Sequence, residues 1–106
     1  MKIVVTLPGG DTKNINALLG NTVMDTMRAA RLPIRAECGG AMACATCHVS
    51  IDPKWIGRVG YASGEEQDLL VESEYCTDSS RLACQIVIKE GLNGLLIILQ
   101  PDSFEE

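Results

Sequence analysis

Four cysteines set the strongest constraint on this chain. Cys38, Cys44 and Cys47 are separated by five and then two residues, and Cys84 follows after 36 more. Three close sulfurs and one distant one require the fold to return the chain to its own middle, so residues near 84 must end beside the 38–47 loop. The loop, Glu37 to Thr46, is rich in Gly and Ala, which suits a segment wrapped around something rather than one packing large side chains. A fifth cysteine, Cys76, stands outside the set and reads as a small apolar residue or spare thiol.

With 106 residues the chain is expected to form one domain, residues 1–106, too small to carry a separate substrate domain. Met1 to Leu7 is a short apolar alternation running into Pro8-Gly9-Gly10, which does not read as a signal peptide. Leu95 to Leu99 is far shorter than a membrane span. Cysteines in a chain read as cytosolic, in the bacterial cytoplasm, point to metal or redox chemistry rather than a disulfide scaffold. The net charge of −5 is unevenly placed: residues 1–60 sum to +3 and residues 61–106 to −8. That polarity disfavours nucleic acid and suits basic protein surfaces, and an ordinary solvated acidic face fits it equally well.

Alternation and turn residues predict a hairpin from Lys2 to Leu18, turning at Pro8 to Asp11. Thr22 with Asp25 three residues on opens a helix whose core side is Val23, Met24, Met27, Ala30 and Leu32, ended by Pro33. Val49 and Ile51 read as a short strand and Pro53 to Val59 as a helical turn with Trp55 packing. Ser63-Gly64-Glu65-Glu66 has the form of a capping box opening a helix through Leu70, and Gln85–Ile88 and Leu95–Leu99 read as strands. The result is an α+β chain with one sheet on one main helix. A β-grasp arrangement is compatible with this order, though periodicity does not select it.

Four thiolates suit zinc or an iron–sulfur cluster. Zinc ribbons offer two Cys-x-x-Cys knuckles, and this chain has only Cys44 to Cys47 after a wide arc. A two-iron cluster is bulkier and needs backbone N–H groups aimed at its sulfurs, which Gly39, Gly40, Ala41, Ala43 and Ala45 permit. Cys44-Ala45-Thr46-Cys47-His48 also matches the c-type haem attachment string and contains a thioredoxin-like dithiol. Haem would leave Cys38 and Cys84 without purpose, and the dithiol lacks a βαβ setting. Rieske ligation needs two histidines on one iron, and His48 is the only one in the chain. His48 reads as a packed, hydrogen-bonded residue behind the loop.

Several stretches together resemble the adrenodoxin- and putidaredoxin-like [2Fe–2S] ferredoxins: Cys38-Gly39-Gly40, Cys44 through Val49, Glu65 through Leu70, Ser80 through Ile86, and Gly94 before the last strand. The resemblance covers nearly the whole chain and differs in loop spacing from the plant type. It implies a β-grasp (ubiquitin-like) ferredoxin fold, a mixed sheet packed on one main helix with a cluster-binding loop. It implies one [2Fe–2S] cluster on Cys38, Cys44, Cys47 and Cys84, with His48 linking loop and core. It further implies that Glu65, Glu66, Asp68 and Glu72 dock redox partners. Val71 stands where some relatives carry another acid, and Phe104 lies near a C-terminal aromatic of one branch.

The implied activity is one-electron transport by a monomer that is not itself an enzyme. Electrons would come from a flavin-containing NAD(P)H-dependent ferredoxin reductase and go to an oxygenase, first of all a bacterial cytochrome P450. A Rieske-type oxygenase or iron–sulfur cluster assembly are the alternative acceptors. A four-cysteine zinc interaction module without redox activity, and a dithiol enzyme using Cys44 and Cys47, are the competing classes.

Overall fold

A computed structural model of the chain describes residues 1–35 and 46–104. Strands β1 (Lys2–Thr6) and β2 (Thr12–Asn16) form the expected antiparallel hairpin, in register from Lys2 opposite Asn16 to Thr6 opposite Thr12. The turn is closed by Leu7 N–H donating to the Asp11 carbonyl at 2.7 Å and Gly10 N–H to the Leu7 carbonyl at 2.8 Å. Gly10 has φ +99°, a conformation that side chains with a Cβ rarely adopt.

Helix α1 (Val23–Ala29) begins where the sequence indicates, because the Thr22 hydroxyl accepts from Asp25 N–H at 3.0 Å. Asp25 in its first turn and Arg28 in its last complement the helix dipole. Val23, Met24 and Met27 enter the hydrophobic core. Arg31, at φ 61°, reverses the chain after the helix.

Three further strands complete a five-stranded sheet in the order β2-β1-β5-β3-β4, where β3 is His48–Ile51, β4 is Ser80–Leu82 and β5 is Leu95–Leu99. The last strand occupies the centre, parallel to β1 and antiparallel to β3. Leu95, Ile97 and Leu99 face the core, while Leu96 and Ile98 lie on the opposite, exposed face. This mixed sheet with α1 packed into the core it shares is the β-grasp arrangement. Two short helices, α2 (Ile56–Val59) and α3 (Gly64–Leu70), lie between β3 and β4. No helix among the described residues is long and apolar enough to cross a membrane.

Two local expectations are corrected. Gln85–Ile88 is not a strand: Ala83–Gln85 is a 3-10 turn, and Val87 makes only an isolated bridge to Thr22. The backbone bonds there go to the segment entering α1 instead, with Val23 N–H on the Ile86 carbonyl at 2.8 Å and Ile88 N–H on the Asn21 carbonyl at 2.7 Å. The strand lies earlier, at Ser80–Leu82. Ser63 does precede α3 but makes no side-chain cap bond. Glu66, its expected capping partner, turns inward.

Candidate functional site

Pairing of β3 with β4 brings distant parts of the sequence together. His48 lies opposite Leu82, and Ala83 N–H donates to the Cys47 carbonyl at 2.9 Å. Cys47, just before β3, and Cys84, in the turn just after β4, therefore sit at adjacent ends of the two strands. Both are buried, at 1% and 8% exposure. Among the described residues no third histidine, cysteine or carboxylate joins them in a metal-holding group. Cys38 and Cys44 lie outside the described residues. Two buried sulfurs in an apolar setting are the donor chemistry of a soft-metal or iron–sulfur site rather than of an oxygen-ligand one, so the described part of the loop fits such a group. Cys76, half-buried, stands apart with its Sγ 3.8 Å from the Thr77 carbonyl.

His48 is fully buried behind this corner. Its backbone N–H donates to Ser103 Oγ at 2.7 Å, and its carbonyl accepts from Gln100 N–H at 3.1 Å. Its Nδ1 is 3.3 Å from Asp102 Oδ2 and its Nε2 is 2.7 Å from Ser80 Oγ. A carboxylate only accepts, so in the neutral ring the proton sits on Nδ1 and Nε2 accepts the Ser80 hydroxyl. Ser73 Oγ donates to the same Asp102 oxygen. The residue after Cys47 is thus tied to the C-terminal segment and to the chain following α3.

A second network holds the Cys84 side. Arg81 and Glu66 are both buried and paired, with Nε to Oε2 at 2.6 Å and Nη2 to Oε1 at 3.2 Å. Leu82 N–H donates to Glu66 Oε2 at 2.9 Å. The remaining Arg81 donors reach the carbonyls of Val59, Gly60 and Gln85 at 3.3, 2.8 and 3.3 Å. Ion pair and backbone bonds together satisfy charges that burial would otherwise make costly. One guanidinium therefore joins the end of α2, the first turns of α3 and the turn carrying Cys84.

The acidic residues divide accordingly. Glu65, Asp68 and Glu72 are exposed along and just beyond α3, whereas Glu66 is 7% exposed and committed to Arg81. Glu66 is thus not part of the acidic surface on which the sequence placed it. Tyr61 and Val71, both exposed, border a shallow hollow of about 450 Å³ beside α3 that also reaches Cys76 and Ser80. Sequence reasoning gave no role to Ser80, Arg81, Asp102 or Ser103. A signal existed for Arg81, which is the lone cation between Arg58 and Lys89 and stands three residues before Cys84.

Comparison with known proteins gives a consistent result. Residues 8–89 match the family model described as the 2Fe-2S iron-sulfur cluster binding domain. The 2Fe-2S ferredoxin CtmE of Castellaniella defragrans is 41% identical over 93 residues, covering 86% of this chain and 87% of that protein. The crystal structure of a ferredoxin from Rhodopseudomonas palustris superposes with a TM-score of 0.89 at 32% identity, covering 97% of this chain and 99% of the other. A chain in the covalent putidaredoxin reductase–putidaredoxin complex matches with a TM-score of 0.86 at 27% identity, over 93% of this chain and 97% of that one.

Proposed function

The chain belongs to the [2Fe–2S] ferredoxins of the adrenodoxin and putidaredoxin type, and from that premise we propose that Cys38, Cys44, Cys47 and Cys84 hold its cluster. It is an electron carrier with one cluster per chain, not an enzyme. The zinc module and the dithiol enzyme are thereby set aside. The observation that carries the ligand assignment is the meeting of Cys47 and Cys84 at adjacent ends of β3 and β4. Cys38 and Cys44 complete a four-sulfur set by sequence position. When bound, the cluster takes up and releases a single electron.

The chain's own residues then have distinct tasks. The Gly- and Ala-rich composition around Cys38 and Cys44 permits backbone N–H groups to approach the cluster sulfurs, and such donors would oppose the negative charge that reduction adds. The His48 network fixes the backbone after Cys47, and Arg81 with Glu66 fixes the turn carrying Cys84. Residues 1–106 act as one domain, since the sheet pairs β1 from one end of the chain with β5 from the other, and the carrier works as a monomer.

Glu65, Asp68 and Glu72 form the docking face, with Tyr61 and Val71 as apolar contacts beside it. The partner that fits is a flavin-containing NAD(P)H-dependent ferredoxin reductase, in line with the reductase bound by the relative in the covalent complex. The acceptor is an oxygenase, first of all a bacterial cytochrome P450, and the working compartment is the cytoplasm. Charged rims speed encounter more than they prolong residence, which suits a shuttle.

The test is the visible absorption spectrum of anaerobically purified protein before and after dithionite, with iron and labile sulfide assayed on the same sample. Broad bands that bleach partially support the reading, and single Cys→Ser variants at the four positions should lose them. A colourless zinc protein overturns it. Reconstitution with a flavin reductase and a P450 tests the partners: substrate turnover that needs this chain and falls with salt supports them, and reductase that fails to reduce it at any salt refutes them.

A further inference from the structure

Gln85 follows Cys84 directly, and its side-chain Nε2 lies 3.5 Å from Cys84 Sγ. The amide nitrogen can only donate and a thiolate sulfur accepts, so the contact is an N–H···S hydrogen bond. The residue is exposed, so burial does not hold it there. The backbone does. The Gln85 carbonyl accepts from Arg81 Nη2 at 3.3 Å, and Ile86 N–H closes the 3-10 turn on the Ala83 carbonyl at 3.3 Å. Arg81 is itself held by Glu66 from α3. A continuous chain of contacts thus runs from α3 through a buried ion pair to a side-chain donor on the sulfur of Cys84.

We propose that the Gln85 side-chain amide, placed by the Glu66–Arg81 pair, donates a hydrogen bond to the Cys84 sulfur and raises the reduction potential of this ferredoxin. Reduction puts more negative charge on the ligand sulfurs, so a donor aimed at one of them stabilises the reduced form more than the oxidised form. Gln85 keeps its proton throughout; the electron arrives from the reductase and leaves to the acceptor. The inference rests on Cys84 being a cluster ligand.

The experiment compares the cluster-loaded parent with Gln85→Leu and Gln85→Glu by spectroelectrochemical titration with mediators. The leucine variant, close in size but without a donor, should lower the reduced-to-oxidised ratio at fixed potential by about three- to tenfold, roughly 30 to 60 mV for one electron. The glutamate variant, an acceptor only, should lower it further. Resonance Raman in H2O and D2O gives a readout that a purely structural role does not move: the deuterium shift of the Fe–S(Cys) stretching bands should shrink in both variants. Parent-like potentials and unchanged deuterium shifts in either variant that retains its visible bands overturn the proposal. Cys84→Ser separates the two levels of inference, because a normal cluster in that variant refutes the ligand assignment itself.

Discussion

Replacing Arg81 with methionine keeps an unbranched side chain in place but removes every donor of the guanidinium. The Glu66 carboxylate, 7% exposed, would then keep only the Leu82 N–H, and the carbonyls of Val59, Gly60 and Gln85 would lose the donor they share. Breaking a buried ion pair by deleting one partner costs about 3–5 kcal/mol. In a domain of this size each kcal/mol moves the melting midpoint by about 4–8 °C, so a drop of at least about 12 °C is expected. Glu66→Gln should cost roughly half as much, because an amide oxygen can still accept from Leu82 N–H and Arg81 keeps its carbonyl partners. The assay is loss of visible circular dichroism from the cluster-loaded protein on heating, under anaerobic conditions at one scan rate, since cluster release makes unfolding irreversible. An Arg81→Met variant melting within about 3 °C of the parent would refute the argument that this pair holds the Cys84 turn.

Other outcomes follow from the same geometry. Cys76→Ser should retain full iron and sulfide content, whereas Cys47→Ser should lose it, as metal analysis will show. Asp68→Asn combined with Glu72→Gln should slow association with the reductase and flatten its salt dependence in stopped-flow traces, while leaving the visible spectrum intact. Ser103→Ala removes the acceptor of the buried His48 N–H and should destabilise by about 1–3 kcal/mol in the same melting assay. Thr22→Ala removes the α1 cap and should cost about 1 kcal/mol, some 4–8 °C in midpoint.

Local signals decided the elements whose bonds are local. The Pro8–Asp11 turn and the Thr22 cap were legible because the groups that form them lie within a few residues of one another, and the Val49–Ile51 strand was legible from its alternation although its ladder partners lie far along the chain in β4 and β5. The cysteine spacing, with the Gly- and Ala-rich loop, narrowed the chemistry to a soft-metal or iron–sulfur site, and the resemblance over nearly the whole chain singled out the cluster. Elsewhere local pattern misled. Ser63 and Glu66 have capping-box spacing, yet a cation fifteen positions away along the chain offers Glu66 a buried partner, and an ion pair screened from water outweighs an exposed cap. Gln85 to Ile88 alternates like a strand, yet its backbone finds its partners in the segment entering α1.

The sequence by itself determined which residue types could hold the cluster, the hairpin and the start of α1, since composition, turn chemistry and capping act over short separations. Tertiary structure alone decided which acidic residue turns inward, that the final strand lies at the centre of the sheet, and which partners hold the His48 ring. Those outcomes depend on hydrogen bonds and ion pairs between residues far apart in sequence, whose strength comes from burial, and burial exists only once the chain has folded.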